Sequence, residues 1–197
     1  MNELQQNVFT SIINGHHTVL PSSMHKLLES CQIRHLTKDE FLTQEHQPDT
    51  YEYFLLEGLV HRSLLGEHGE YVTTGFYTAP TVVTPHFART VTGRSLFTLQ
   101  ALTPACVAYM PVAALDALRY SLDDVKRFGQ DVLADELRQS IHHEVAFRAW
   151  SAKERLLDLR QAYPNLENLV PHSLIASYLG ITPVSFSRLR HELAQHR

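Results

Sequence analysis

The densest run of side chains able to do chemistry lies between His172 and His191, HSLIASYLGITPVSFSRLRH. Val184, Ser187, Arg188 and His191 recur at steps of three and four, so on a helix they share one face. That face would offer a guanidinium, a hydroxyl and an imidazole to a polar or anionic partner. Groupings that would instead break bonds are missing. The chain has no G-x-S-x-G, no H-E-x-x-H and no phosphate-binding glycine loop, so no enzyme is expected.

Thirteen histidines are many for 197 residues, and His16-His17 and His142-His143 are adjacent pairs. Neighbours on a helix diverge by about 100°, so neither pair is a chelate by itself. His142 with Arg138, and His143 with Glu144, read as a solvated helix face. His61 and His68 flank a turn without the Cys, Asp or Glu spacing of a closed zinc site, and no metal is expected. Cys31 and Cys106 are too few for a disulfide scaffold, a four-thiolate site or an iron–sulfur cluster. Redox sensing by a single thiol stays open. Trp150, the only tryptophan, reads as packing at a hinge between two modules.

The elements that must position the 172–191 face can be read from local chemistry. Ile175 and Leu179 stand four apart on one inward face, and Ala176 is small where two helices must approach closely. Gly180 suits a turn with positive φ. Thr182 can cap a second helix, with Pro183 at its first position, where a missing N–H costs nothing. Phe186, Leu189 and Leu193 would then form the buried stripe. Such a pattern predicts a helix–turn–helix whose outer face enters a DNA major groove. An ordinary antiparallel helix pair is the competing reading.

Upstream, residues 5–30 have helical apolar spacing broken by Gly15 and Pro21. Between Gln32 and Met110 the texture becomes β-branched and aromatic. YEYFLLEGLVHRSLL and YVTTGFYTA are separated by the hairpin-like GEHGE, and SLFTLQAL and CVAYM by Thr103-Pro104. Short strands at regular spacing suggest a small barrel or sandwich. Apolar residues then recur in threes and fours, predicting a helix over about 122–147 with Leu122, Val125, Phe128, Val132, Leu137 and Ile141 in one stripe. That stripe needs a partner surface, either a sister helix in a homodimer or its own domain. Ser151-Ala-Lys-Glu154 is a capping-box pattern that starts a new helix ending before Pro164, so a boundary falls near 149–151.

With 44% hydrophobic and 19% charged residues the chain should bury a real core and is not generally disordered. Neither a signal peptide nor a bilayer-spanning run is expected, which predicts a soluble cytoplasmic protein without membrane contact. A net charge of −4 argues against nucleic acid until it is divided. From Ser151 onward six basic residues (Lys153, Arg155, Arg160, Arg188, Arg190, Arg197) face four acidic ones (Glu154, Asp158, Glu167, Glu192), leaving the acidic excess upstream. So small a basic surplus predicts modest DNA affinity per subunit.

Three segments carry a resemblance. IASYLGITPVSFSRLR is similar to the recognition segment of the Crp/Fnr superfamily of bacterial transcription regulators. YFLLEGLV resembles that family's strand–glycine–strand hairpin, and RSLFTLQAL the segment after its phosphate-binding cassette. The resemblance covers roughly residues 20–195 and implies an α+β fold. Residues 1–149 would form a cyclic-nucleotide-binding-like antiparallel β-roll plus the long dimerisation helix, and 150–197 an all-α helix–turn–helix domain with the β-wing missing or minimal. It implies a homodimer on a pseudo-palindromic DNA operator, with RNA polymerase as a further partner.

Residue by residue, it implies that Arg188 reads bases, since a guanidinium can pair with guanine O6 and N7. It places His172 at backbone phosphate, with Thr182, Ser185 and Ser187 supplying hydroxyls, Val184 a thymine-methyl contact, and His191 on the same face. Pro183 and Val184 stand where the family usually has a polar base-reading pair. In the sensor half Arg94-Ser95 match the phosphate grip, but Val82, Val83 and Thr84 replace the Gly-Glu pair that anchors the ribose. No cofactor is expected, cyclic nucleotide included. His86, Arg89, Arg94 and Ser95 are left as a pocket for another anionic ligand, or as surface residues of a scaffold.

Overall fold

The segments read as strands bury side chains on alternate sides, and that alternation builds the molecule. The computed structural model describes residues 1–67 and 69–195; His68 and Arg197 lie outside the described residues. Two helices open the chain, α1 (Glu3–His16) and α2 (Pro21–Ser30). An Asn2/Gln5 capping box starts α1, and proline occupies the first turn of α2. Strands β1 (Gln32–Leu36), β2 (Phe41–Thr43), β3 (Tyr51–Glu57), β4 (Leu59–Leu65), β5 (Tyr71–Thr78) and β6 (Thr81–Val82) follow. A short α3 (His86–Arg89) leads into β7 (Thr90–Val91), β8 (Arg94–Ser95), β9 (Thr98–Ala101) and β10 (Ala105–Pro111).

The strands form two antiparallel four-stranded sheets, in the orders β1-β10-β3-β6 and β2-β9-β4-β5, with β7-β8 as a separate ribbon. This is the β-roll the sequence predicted. In β3, Tyr53 and Leu55 point into the space between the sheets, while Phe54 and Leu56 join a second core with the helices. β10 divides the same way, Val107 inward and Cys106, Ala108 and Met110 toward α1. Both strands are therefore apolar on both faces, which is why YFLL reads as an unbroken run.

Helices α4 (Val112–Ser121) and α5 (Asp123–Ala149) close the layer over β3 and β10. The predicted 122–147 helix is present, but its stripe needs correction. Leu122 is extended (φ −131°) and lies outside α5. Val125, Phe128 and Val132 are buried against Phe9, Ile13 and Leu27 of their own domain. Leu137 and Ile141 are exposed, in line with Leu133 and Val145 at four-residue steps. At 100° per residue the two sets lie on opposite sides of the helix. The first half of α5 serves its own core, and only the second half offers an apolar face. His16 Nδ1 and His17 Nδ1 reach Asp135 and Asp131 of α5 at 2.8 and 2.9 Å, so these histidines are interhelical ties.

Beyond Trp150, the extended C-cap of α5, come α6 (Ala152–Ala162), α7 (Leu166–Leu169), α8 (His172–Tyr178) and α9 (Pro183–Gln195). The Ser151/Glu154 capping box forms as read and starts α6. Among the described residues no strand follows Pro111.

Gly58 sits between β3 and β4 at φ +92°. A Cβ there would lie 2.4 Å from the Pro104 carbonyl oxygen and 2.8 Å from Ala105 Cα. Both the backbone angle and the contact exclude a side chain. Gly58→Ala should lower stability by about 2–4 kcal/mol, read from the urea midpoint with the denaturant slope unchanged.

Candidate nucleic-acid interface

The turn between α8 and α9 closes as a Schellman motif. Gly180 adopts φ +66°, its N–H donates to the Ser177 carbonyl at 3.0 Å, and the Ile181 N–H donates to that of Ala176 at 3.0 Å. Thr182 then caps α9, its Oγ1 accepting the Ser185 N–H at 3.1 Å. Ile175, Ala176, Leu179 and Phe186 are buried together in the core of this unit, with Leu189 and Leu193 packed at its margin. The turn and cap form as predicted, while of the predicted stripe only Phe186 is fully buried. A Cβ on Gly180 would come 2.9 Å from Phe147 Cε1, so the turn is also seated on the end of α5.

On the outer face Val184, Ser185, Ser187, Arg188 and His191 are exposed together, and Val184 is 59% accessible. Among the described residues Arg188 forms no ion pair and no side-chain hydrogen bond, which leaves its guanidinium free. The hydroxyls of Thr182 and Ser185 lie 2.9 Å apart, and Thr182 is further committed to the cap. His191 Nε2 lies 2.9 Å from the Gln195 amide. His172 is exposed at the start of α8, its ring 5.4 Å from Phe186 and its Nδ1 3.3 Å from Arg190. The predicted residues of the turn and α9 therefore share one surface, with His172 beside Phe186 and Arg190.

Behind that surface stands a contact the sequence did not reveal. Glu167 accepts a hydrogen bond from Arg160 Nε at 2.6 Å and pairs with Arg190 Nε at 2.7 Å, so one carboxylate joins α6, α7 and α9. The two guanidiniums outweigh burial and hold its carboxyl below the usual range. Spacing alone gave no sign of this, because Glu167 lies 23 residues from Arg190.

The helix–turn–helix unit is docked on the roll. The Thr73 N–H donates to Ser177 Oγ at 2.9 Å and the Tyr163 hydroxyl to the Phe76 carbonyl at 2.9 Å. Leu59, Phe76 and Leu102 of the roll share a core with Leu156, Leu159 and Ile175. Arg155 links the hinge to the turn, donating to the Trp150 carbonyl at 2.7 Å and to that of Leu179 at 3.0 and 3.2 Å. A cleft of about 540 Å³ remains between β4, β5, the second half of α5 and α6.

The predicted anion pocket is corrected. Arg89 is fully buried, its Nε 2.8 Å from Asp49 and its Nη1 3.5 Å from Glu52, and it donates to the Thr84 and Tyr51 carbonyls. Its charge is spent inside the protein. His86 Nε2 lies 2.7 Å from the Asp49 carbonyl oxygen, Ser95 Oγ donates to the Phe97 carbonyl at 2.7 Å, and exposed Arg94 donates to the His46 carbonyl at 2.8 Å. The four do not converge on a shared cavity, nor is Arg89 a surface residue.

The reading of a solvated face holds for exposed His142 and changes for His143. His142 Nε2 lies 3.2 Å from Asp158, and His143 is half-buried against Tyr178. His61 is buried, with Nε2 3.1 Å from Gln100 Oε1. Among the described residues no three His, Cys, Asp or Glu side chains gather as metal ligands. Burial pushes the Cys31 thiol up to about 12 and raises that of Cys106, which disfavours the thiolate at both. No helix among the described residues is long and apolar enough to cross a membrane.

No protein family and no curated protein matches the sequence. Solved structures do match in fold. FixK2 from Bradyrhizobium japonicum superposes with a TM-score of 0.71 at 22% identity, covering 84% of this chain and 85% of that one. A Eubacterium rectale structure described as a transcriptional regulator of the Crp/Fnr family gives 0.70 at 12%, covering 90% and 85%. The chain has the Crp/Fnr fold. CLP of Xanthomonas campestris, a c-di-GMP responsive global regulator, gives 0.68 at 13%, covering 89% and 92%. In the Crp/Fnr fold seen here, the roll, the long helix and the helix–turn–helix follow in the order the sequence predicted.

Glu167→Gln should cost the C-terminal unit about 1–2 kcal/mol at pH 7, measured by thermal denaturation. A carboxyl held low stabilises above its ordinary value of about 4.3 and loses that effect as pH falls through its lowered value. The gap between variant and wild type should therefore persist at pH 5 and close below about pH 4.

Proposed function

We propose that the protein is a DNA-binding transcription regulator acting as a homodimer in the bacterial cytoplasm. The observation that carries this reading is the free Arg188 guanidinium on an exposed α9 face held by the Schellman turn and the Glu167 pairs. Ser187 and His191 flank it as further donors, and Val184 offers an apolar contact suited to a thymine methyl. His172, at the start of α8, is disposed toward backbone phosphate. The mildly basic C-terminal segment provides little non-specific attraction, so two subunits acting together would supply the affinity.

Support for the dimer is the outward stripe of Leu133, Leu137, Ile141 and Val145, between 39% and 60% exposed. A sister α5 would cover it and set two α9 helices on one side of the duplex. The preferred target is then a pseudo-palindrome with half-sites ~34–36 Å apart. RNA polymerase is the downstream partner in this reading. The roll serves as a scaffold that does not take cyclic nucleotide, since no Gly-Glu pair is present and Arg94 and Ser95 are engaged by the His46 and Phe97 carbonyls. Its capacity to bind some other small ligand would reside in the 540 Å³ cleft.

One feature favours a second reading. Pro183 and Val184 begin α9 without side-chain donors, which fits a member that keeps the fold as a ligand-binding or interaction module after losing specific DNA recognition. Selection of random duplexes by the purified protein separates the two. Recovery of a palindrome is expected, and Arg188→Ala should weaken its binding by about 1–3 kcal/mol while lowering discrimination at one base pair. Unchanged affinity and salt dependence in that variant would end the regulator reading. Leu137→Glu with Ile141→Glu should yield a folded monomer by sedimentation, because two charges cannot be buried unpaired in the seam.

A further inference from the structure

We propose that the seam between the long helix and the helix–turn–helix unit is a proton-sensitive latch, released when His143 takes up a proton. The inference concerns how the two domains hold together and needs no assumption about DNA.

The His143 ring lies 4.8 Å from Phe147 and 5.2 Å from Tyr178, with Nδ1 3.4 Å from the Tyr178 hydroxyl. Phe147 is the residue on which the Gly180 turn is seated. One half-buried imidazole thus stands inside the α5–α8 contact, beside the point where Ser177 accepts the Thr73 N–H of β5.

The charges around it are unevenly balanced. From β4 comes Arg62, shared with Glu136 of α5 at 3.8 Å. On α5 itself Arg138 is paired with Asp135. α6 contributes Asp158, already engaged by His142, and Arg155, whose hydrogen bonds all go to carbonyls. Among the described residues Arg155 has no carboxylate partner. The remaining titratable neighbours are the phenols Tyr77, Tyr163 and Tyr178, which burial keeps protonated. A proton on His143 would meet Arg62 and Arg155 with little anionic charge to offset them. Burial first, then Arg62, His142 and Arg155, hold this imidazole below the ordinary histidine value, with Asp158 opposing.

The sign follows from linkage. The undocked state takes up the proton near the ordinary value of about 6.5, and the docked state only at lower pH. Docking is therefore fully supported above that value and weakens as pH falls below it.

Hydrogen exchange of the full-length protein followed by NMR tests this, each amide being normalised to its intrinsic rate at that pH. Protection of the Thr73 amide should fall between pH 7.5 and 5.0, by up to about tenfold for each unit by which the imidazole is displaced. Amides of Phe128 and Val132, in the half of α5 that serves the roll, should keep theirs. His143→Phe, which retains the ring but cannot be protonated, should abolish the fall. Unchanged Thr73 protection in wild type, or an equal fall in the variant, overturns the latch. Because phenylalanine alters the Tyr178 contact, the wild-type His143 Cε1 proton is titrated as well. A midpoint at or above the ordinary histidine value also overturns it.

Discussion

Burial of β3 and β10 on both faces is the constraint from which the rest of the arrangement follows. Tyr53, Leu55 and Val107 fill the roll, while Phe54, Leu56, Cys106 and Met110 present a second apolar surface that water would penalise. α1, α4 and the first half of α5 cover that surface. Phe9 meets Phe54 edge to face at 4.9 Å, and Phe128 lies in the same core. The direction of α5 is thus set by the sheet beneath it, and with it the place where the chain can turn at Trp150. Arg89 and Asp49 close the same roll from within, a buried ion pair whose neighbours Glu52 and His86 come from the adjoining segments.

Much of this was legible because local chemistry decides it. Gly180, Thr182 and Pro183 specify the turn and cap of the helix–turn–helix through φ preference and missing or available hydrogen-bond groups, and each acts within a few residues. Ser151 and Glu154 announce the start of α6 for the same reason. The strand segments were visible in their β-branched and aromatic content, and GEHGE in its glycines.

What escaped the sequence depends on partners far along the chain. Arg89 looked like a ligand for an anion because Asp49, forty residues earlier, carries no mark as its counterion. His143 looked solvated because Tyr178 and Arg155 reach it only after the hinge folds back. The stripe of α5 misled for a geometric reason. Steps of four advance about 40° around a helix, so a run in threes and fours can pass from one side to the other without a break in its pattern. Val132 and Leu133 are adjacent in sequence, yet the first belongs to the domain core and the second faces outward.

That changeover gives α5 mechanical leverage. Its first half is clamped to the sheet, and Glu136, joined to Thr84 and Arg62, marks the last tie to β4 and the β6–α3 segment. The span from there to Ala149 is ~20 Å at 1.5 Å per residue. A tilt of about 6° at the clamp would carry the hinge through ~2 Å, comparable with the helix shifts that separate discrete states of packed interfaces. Were the helix–turn–helix unit released from the roll, this stiff rod fixed at one end would transmit small rearrangements of the roll as displacements of the α9 surface, without any bend in the helix itself.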